Sequence, residues 1–382
     1  MTQAVHQPQS FEALRQYFID IALAGLPTLF DEKNQRFHFR ARESATGIVI
    51  EGDSLRYTLI TMLGLIKFRN GGQEVPFDLE AIHESLLKSP GSFLTLGDWS
   101  LMLWLTALMG DDDVLDKFYH TYFRSPDMVE FAGEFKDAAD RCTMEMAWYL
   151  TAMVYTGQKL GWKTPNLSKH IEGIYRLLLE NYGGQGVFGH QALSGFKGRL
   201  RGNIGTFADQ VYPIYALSAL SRLQNHGQAL EIANSTATKI CAVQGDLGQW
   251  WWHYHRPGGR AVGGYPVYGV HQDAMAPLAL YANEAAAGLS HHEAIYKGMR
   301  WIDRENELGA DMVDASRRYV WRNILIPKGK RFATLYRNQF LGGNQLAFGS
   351  GLSITKECWS YHLGWILYAF SPVVFQRGAS SE

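Results

Sequence analysis

The chain is short of charge, short of cysteine and without a long apolar run. Charged residues make up 19% of 382, below the quarter usual for a globular domain, and the formal net charge is −1. Nucleic-acid binding needs a positive stripe that displaces counterions from phosphates, so that class of partner is disfavoured. The three cysteines, Cys142, Cys241 and Cys358, are far apart and odd in number. No disulfide framework follows, and a cytoplasmic location is the expectation. No apolar stretch reaches about 18 residues, so no transmembrane segment is expected. The first residues, Met1 to Gln7, lack a basic region and an apolar run, so no cleaved signal peptide is expected. Walker, dinucleotide-fingerprint, Gly-x-Ser-x-Gly and His-Glu-x-x-His motifs are missing too. A P-loop ATPase, a Rossmann oxidoreductase and an α/β-hydrolase are therefore disfavoured.

What is present is a short repeat. Asp209-Gln210-Val211-Tyr212-Pro213 heads one apolar run, and Asp273-Ala274-Met275-Ala276-Pro277 heads another. A proline in the first turns of a helix costs little, so both aspartates belong at or near helix starts. Each copy follows a loop rich in Gly and aromatics, and each loop follows an amphipathic stretch. Six apolar, small-residue-rich segments read as buried helices, starting near Ser54, Trp99, Met144, Phe207, Gln272 and Trp359. Segments with one apolar stripe alternate with them at 10–24, 79–88, 167–182, 227–243 and 292–303. In one of these, Ile171, Ile174, Tyr175, Leu178 and Leu179 have the spacing of a surface helix. Alternating buried and half-buried helices predict an all-α double ring with inner helices lining a barrel. Strand signals are sparse, at Phe37–Phe39 and Tyr319–Trp321. Residues 304–355 read as the longest irregular stretch, a lid or rim loop. No linker divides residues 1–382, which read as one domain.

This order resembles the α,α-toroid, an (α/α)6 or six-hairpin architecture with Gly/aromatic-rich loops at one rim. Several glycoside hydrolases, polysaccharide lyases, sugar epimerases, terpenoid cyclases and protein prenyltransferases share it. The resemblance spans most of the chain and implies a fold, not an activity. Gln244-x-x-x-Gly248-x-Trp250 is similar to the core of the QW motif of triterpene cyclases, with Gly184–Gly189 as a degenerate second copy. In that family the motif is structural and ties a helix end to a loop. The Asp-x-Asp-Asp acid of class II cyclases is missing. Asp111, Asp112, Asp113 and Asp116 resemble the magnesium motif of class I terpene synthases but lack its companion, and read as a helix cap. Asp140, Cys142 and His362 resemble the zinc ligands of prenyltransferases, yet fall on the third and sixth inner helices, too far apart for one ion. No metal and no cofactor is expected.

The densest candidate site is 244–273, with Trp250, Trp251, Trp252, His253, Tyr265, Tyr268, His271 and Asp273. Sugars stack on aromatic faces while carboxylates and imidazoles take their hydroxyls; aromatic faces also stabilise carbocations. Glycoside hydrolysis needs two carboxyl groups some 5–9.5 Å apart. Asp53, Asp98, Asp209 and Asp273 at inner-helix starts could supply them, although an aspartate there is also the usual cap. The reading assigns Asp273 and Asp209 as the acid pair and His271 or Tyr268 to proton transfer. Trp250, Trp251, Trp252, His253, Tyr265, Asp98 and Arg56 would bind substrate. Two basic groups, Lys197/Arg199/Arg201 and Arg317/Arg318/Arg322, could meet an anion. The expected function is a carbohydrate-active enzyme working on an oligosaccharide by hydrolysis, elimination or epimerisation. The alternatives are a terpenoid cyclase or prenyl-processing enzyme and a non-catalytic binding toroid. Oligomeric state is not legible.

Overall fold

Helices that are apolar on every side must be covered on every side. This chain meets that demand with a closed double ring. A computed structural model describes residues 10–123, 142–191 and 202–372. The inner helices are α2 (Leu55–Asn70), α4 (Leu96–Met109), α6 (Thr143–Leu160), α8 (Ala208–Gln224), α10 (Ala276–Ala287) and α13 (Ser360–Phe370). Each packs on the next in that order, and α13 packs on α2 to close the ring. The outer helices are α1 (Phe11–Gly25), α3 (Leu79–Leu87), α5 (Asp112–Tyr122), α7 (Leu167–Glu180), α9 (Gly227–Ala242) and α11 (His292–Ile302). They cover the inner ring from outside, α1 against α13, α5 against α4 and α6, α9 against α8 and α10. The fold is an (α/α)6 toroid.

Ring closure depends on two glycines. A Cβ on Gly64 of α2 would lie 2.0 Å from the Gly364 carbonyl oxygen of α13, and one on Gly364 would lie 2.5 Å from the Thr61 Cα. Backbone meets backbone there, so no side chain can move aside.

Short antiparallel strands decorate the rim where the inner helices start. β2 (Arg36–Ser44) pairs with β1 (Phe30–Asp31), β3 (Gly47–Asp53) and β12 (Glu357–Trp359). β7 (Val267–Tyr268), β10 (Asn323–Leu325) and β11 (Ser353–Thr355) form a second sheet; β4 (Ile204–Thr206), β5 (His253–His255) and β6 (Arg260–Gly263) form a third. β8 (Val313–Asp314) pairs with β9 (Tyr319–Val320). The 304–355 stretch, expected to be irregular, therefore holds strands and one helix, α12 (Lys328–Phe340). Asp53, expected at a helix start, ends β3 instead; Ser54 caps α2 by accepting from the Tyr57 N–H. Asp111 caps α5, as the sequence suggests.

Cys142, just before α6, and His362, on α13, lie on opposite sides of the ring. Asp140 lies outside the described residues, as do Lys197, Arg199 and Arg201. Burial raises the Cys142 thiol, and that of Cys358 to about 12, so both behave as small buried hydrophobes. Among the described residues no helix is long and apolar enough to cross a membrane.

The half of the barrel away from the rim strands is filled by Trp104, Trp365 and a chain of hydroxyls from Tyr155 through Tyr215 to Tyr368. Beside them Lys67 is fully enclosed. Its Nζ donates to the Tyr368 carbonyl at 2.7 Å and lies 4.1 Å from that ring's centroid. Burial alone pushes Lys67 down to about 7. Above that pH the folded chain keeps Lys67 neutral while the unfolded chain still holds the proton, up to about 10.5. Stability contributed by this site therefore rises from pH 7 to pH 10 and is lowest below 7.

Two outcomes are expected from urea denaturation. Gly364→Ala should lose about 2 kcal/mol or more, since an overpacked backbone crossing has no cheap relaxation. Lys67→Met should gain on the order of 2 kcal/mol at pH 6 and progressively less towards pH 10; a pH-independent difference would exclude a buried, titrating amine.

Candidate functional site

The inner helices all start at one rim, and a cavity of about 280 Å³ opens there between the first two turns of α2, α6, α8 and α13. Its wall takes Arg56, Tyr57 and Ile60 from α2, Met144 and Trp148 from α6, Ala208 and Tyr212 from α8, and Tyr361 from α13. His271 and Met275 come from a single wide turn, His271–Met275, that precedes α10. Strand pairing supplies the rest. β12 lies against β2 with Trp359 opposite Arg40, and β10 lies against β7 with Asn323 opposite Tyr268, which brings Arg322 beside Tyr268. The N-termini of several helices thus face one space, where their aligned peptide dipoles favour negative charge.

Two guanidinium groups reach this cavity, in opposite charge balances. Arg56 Nε donates to Asp98 at 2.8 Å, and its Nη2 donates to Glu145 at 2.7 Å and to Thr95 Oγ1 at 2.6 Å. Asp98 sits in a capping box with Thr95, and Glu145 also accepts from the Gly97 N–H at 3.0 Å. Burial opposes the charge on Arg56, but Glu145 and Asp98 outweigh it and hold the guanidinium above its ordinary value. Two carboxylates to one arginine leave an excess negative charge in a buried wall. At the second guanidinium the balance reverses. Arg322 Nη1 donates to Glu357 at 3.2 Å, Arg40 to Glu357 and Glu51 at 2.8 Å, and Arg42 to Glu51 at 2.9 Å. Three arginines share two carboxylates. The Arg322 guanidinium lies 3.6 Å from the Trp359 ring centroid, and Trp359 Nε1 donates to Glu357 at 2.8 Å. Arg322 Nε is buried with no partner.

Aromatic faces fill the space between. Phe39, Tyr57, Trp359 and Tyr361 form one contiguous group, with Phe39 and Tyr57 stacked at 5.1 Å. Burial pushes Tyr57 up to about 12 and raises Tyr268 despite the pull of Arg322. Burial lowers His271 to about 3, so it is neutral at any ordinary pH, and its Nδ1 has no partner.

A second cavity of about 300 Å³ shares Trp252 with the first. His190, Thr206, His253, Arg331 and Gln339 line it. A larger hollow of about 640 Å³ lies beyond the end of α9, lined by Gln249, Trp251, Glu307 and Phe348.

The expected residues therefore divide. Arg56, Trp252, Tyr268 and His271 line the rim cavity, His253 lines the second, and Asp98 anchors Arg56. Trp250 is core, packed on Phe207 and against Gly298. Trp251 lines the outer hollow, and the Tyr265 hydroxyl donates to Glu307 at 2.6 Å. Of the second basic group, Arg317 is held by Glu43 and Asp314, and Arg322 reaches the cavity.

Asp209 and Asp273 line neither cavity and act on histidines. Asp209 accepts from His190 Nδ1 at 3.0 Å and from the Thr206 N–H and hydroxyl; Asp273 pairs with His362 at 2.7 Å, both buried. The repeat extends to glutamine. Gln210 accepts from the Phe188 N–H and donates to the Phe188 carbonyl. Gln272 accepts from the Trp250 N–H and donates to the Tyr268 carbonyl. Each copy thus clamps the loop before it and fixes a neighbouring imidazole. Gln244 follows α9 and donates to the Gly248 and Ala294 carbonyls, tying that helix end to its loop and to α11. This is the structural role that the QW resemblance implies.

Sequence reasoning missed Glu145, Trp148 and Trp359. The signal for Glu145 was a lone carboxylate in an apolar helix, which must find a partner.

No family model and no curated protein sequence matches the chain. Solved structures do. A possible member of the GH105 family from Salmonella enterica serovar Paratyphi A superposes with a TM-score of 0.59 at 11% identity, covering 97% of this chain and 96% of that one. A glycosyl hydrolase family 88 protein from Bacteroides vulgatus gives 0.60 at 10% identity, covering 95% and 99%. An unsaturated glucuronyl hydrolase from Streptococcus agalactiae gives 0.58 at 9% identity, covering 96% and 92%. The chain shares the α,α-toroid fold of these carbohydrate-active enzymes over nearly its whole length.

Removing Asp273 should strand His362 in the core. Asp273→Ala is expected to cost about 3 kcal/mol in urea unfolding; a midpoint within error of the parent would show that the pair carries no stability.

Proposed function

We propose that the chain is a glycoside hydrolase that acts on the end of an oligosaccharide bearing a carboxylate. The observation that carries this reading is one small aromatic cavity lined by two arginines, Arg322 and Arg56, with the carboxylates Asp98 and Glu145 behind Arg56 rather than in the lining. A uronate ring fits such a space in one orientation. Its carboxylate meets Arg322, which lines the cavity, by a charge-assisted bond. Its C–H faces lie on Trp359, Trp252 and Tyr57. Its reacting end then lies towards Arg56, whose two partners Asp98 and Glu145 are the carboxylates we assign to proton transfer, reached by movement of the Arg56 side chain. Tyr268 and neutral His271 offer hydrogen bonds to ring hydroxyls. Asp209 and Asp273 serve from behind the wall, positioning His190 and His362. The second cavity beyond Trp252 gives room for a further sugar.

The fold supports the same reading. Two of the three similar structures are named as glycosyl hydrolases or a hydrolase of unsaturated glucuronyl groups, the third as a possible GH105 member. None of these three is a terpenoid cyclase or a prenyltransferase.

The test is turnover of unsaturated uronyl disaccharides, followed by loss of the ultraviolet absorbance of the conjugated double bond, beside saturated uronyl and neutral disaccharides. Arg322→Met should raise KM about 10–100-fold with little change in melting temperature, the worth of one charge-assisted bond. Glu145→Gln should instead lower kcat by on the order of 100-fold or more while KM stays near the parent value. Equal turnover of neutral disaccharides, or a parent-like Arg322→Met, would contradict the proposal.

A further inference from the structure

Helix α12 is built inside out. Its inward side is polar: Thr334 and Asn338 are buried, and Asn338 Nδ2 donates to the Val262 and Gln345 carbonyls at 3.1 and 2.6 Å. The Asn338 carbonyl accepts from Arg260 at 2.7 Å. The water-facing side is apolar. Phe332, Tyr336 and Phe340 follow at helical spacing with Leu341 after them, and they are 62%, 59%, 61% and 70% exposed. A surface helix normally shows the reverse pattern. Among the described residues the other exposed large hydrophobics, such as Ile50, Leu94 and Leu289, are scattered along the chain. A contiguous stripe marks an interaction surface.

Charge says what the stripe meets. Lys328, Lys330, Arg331 and Arg337 lie on the same helix, and no Asp or Glu occurs from Ala315 to Lys356, in a chain whose net charge is −1. The Arg331 guanidinium lies over Phe332 at 5.2 Å and over Trp252 at 5.5 Å. A second copy of the chain docked face to face would oppose cation to cation, so the charge argues against self-association. An anionic partner is required. Leu341 has no ring face on which a sugar could stack, and Phe332, Phe340 and Leu341 bury well below lipid headgroups.

We propose that α12 is an interfacial helix. It lays Phe332, Tyr336, Phe340 and Leu341 into the surface of a bilayer rich in anionic lipid, with Lys328, Lys330 and Arg337 at the headgroups. Arg331, Phe332, Leu335 and Gln339 also line the second cavity, so docking brings that mouth to the membrane surface. This inference stands apart from the hydrolase reading and does not need it.

Flotation of the full chain with vesicles tests it, using phosphatidylcholine alone and phosphatidylcholine mixed with phosphatidylglycerol. Binding to the anionic vesicles should exceed binding to the neutral ones by more than about tenfold and fall steeply with salt. The double variant Phe332→Ser/Phe340→Ser should lose that binding while its melting temperature holds, since both side chains are exposed. Lys328→Glu/Lys330→Glu should weaken it at least about tenfold. Absence of vesicle binding overturns the proposal, whether or not the chain is retained on heparin or forms a dimer that the serine variant dissociates. Equal binding to both vesicle types overturns the anionic specificity.

Discussion

Everything at the rim depends on the ring being closed at its far side, where Gly64 of α2 meets Gly364 of α13. The first and last inner helices have no other way to approach within backbone contact. Closure sets the angle of each inner helix, and so brings the first turns of α2, α6, α8 and α13 round one opening. The first two turns of these helices carry Arg56, Tyr57, Trp148, Tyr212 and Tyr361. An open arc of the same helices would hold the same residues on a broad groove.

The rim is then organised by pairing of charge. Buried arginines and carboxylates are tolerable only in networks that satisfy their polar atoms. Here two networks with opposite excess each reach one cavity through a single arginine: Arg56 with Asp98 and Glu145, and Arg322, Arg40 and Arg42 with Glu357 and Glu51. Charge of this kind in a small aromatic space is what distinguishes this site from ordinary core packing. The repeated Asp–Gln device works one layer further out. It fixes His190 and His362 and clamps the loops that carry Phe188, Trp250 and Tyr268.

Much of the architecture was legible. The outer stripes at 79–88, 167–182, 227–243 and 292–303 end within two residues of helices α3, α7, α9 and α11, because a half-buried helix writes its period plainly. α12 escaped because its polar residues face inward, and an inverted stripe following Pro327 and Gly329 looks like a loop. The strand pieces at Phe37–Phe39 and Tyr319–Trp321 overlap β2 and β9, but the rest of the β2–β3 hairpin escaped because Arg40 and Arg42 lie in an ion network and so blur the alternation. The site was legible in part. Three consecutive tryptophans read as one platform, but in extended chain they go three ways: Trp250 to the core, Trp251 to the outer hollow and Trp252 to the rim cavity. The helix-start aspartates were found, yet what they hold depends on neighbours distant in sequence. His362 reaches Asp273 only because the ring closes.

The most direct test of the account is a structure of the protein with an unsaturated uronyl disaccharide bound. The account predicts the uronate ring in the rim cavity, its carboxylate on Arg322, its face on Trp359 and its reacting end beside Glu145 and Asp98. A sugar bound in the outer hollow by Trp251, or in the rim cavity with its carboxylate away from Arg322, would contradict it.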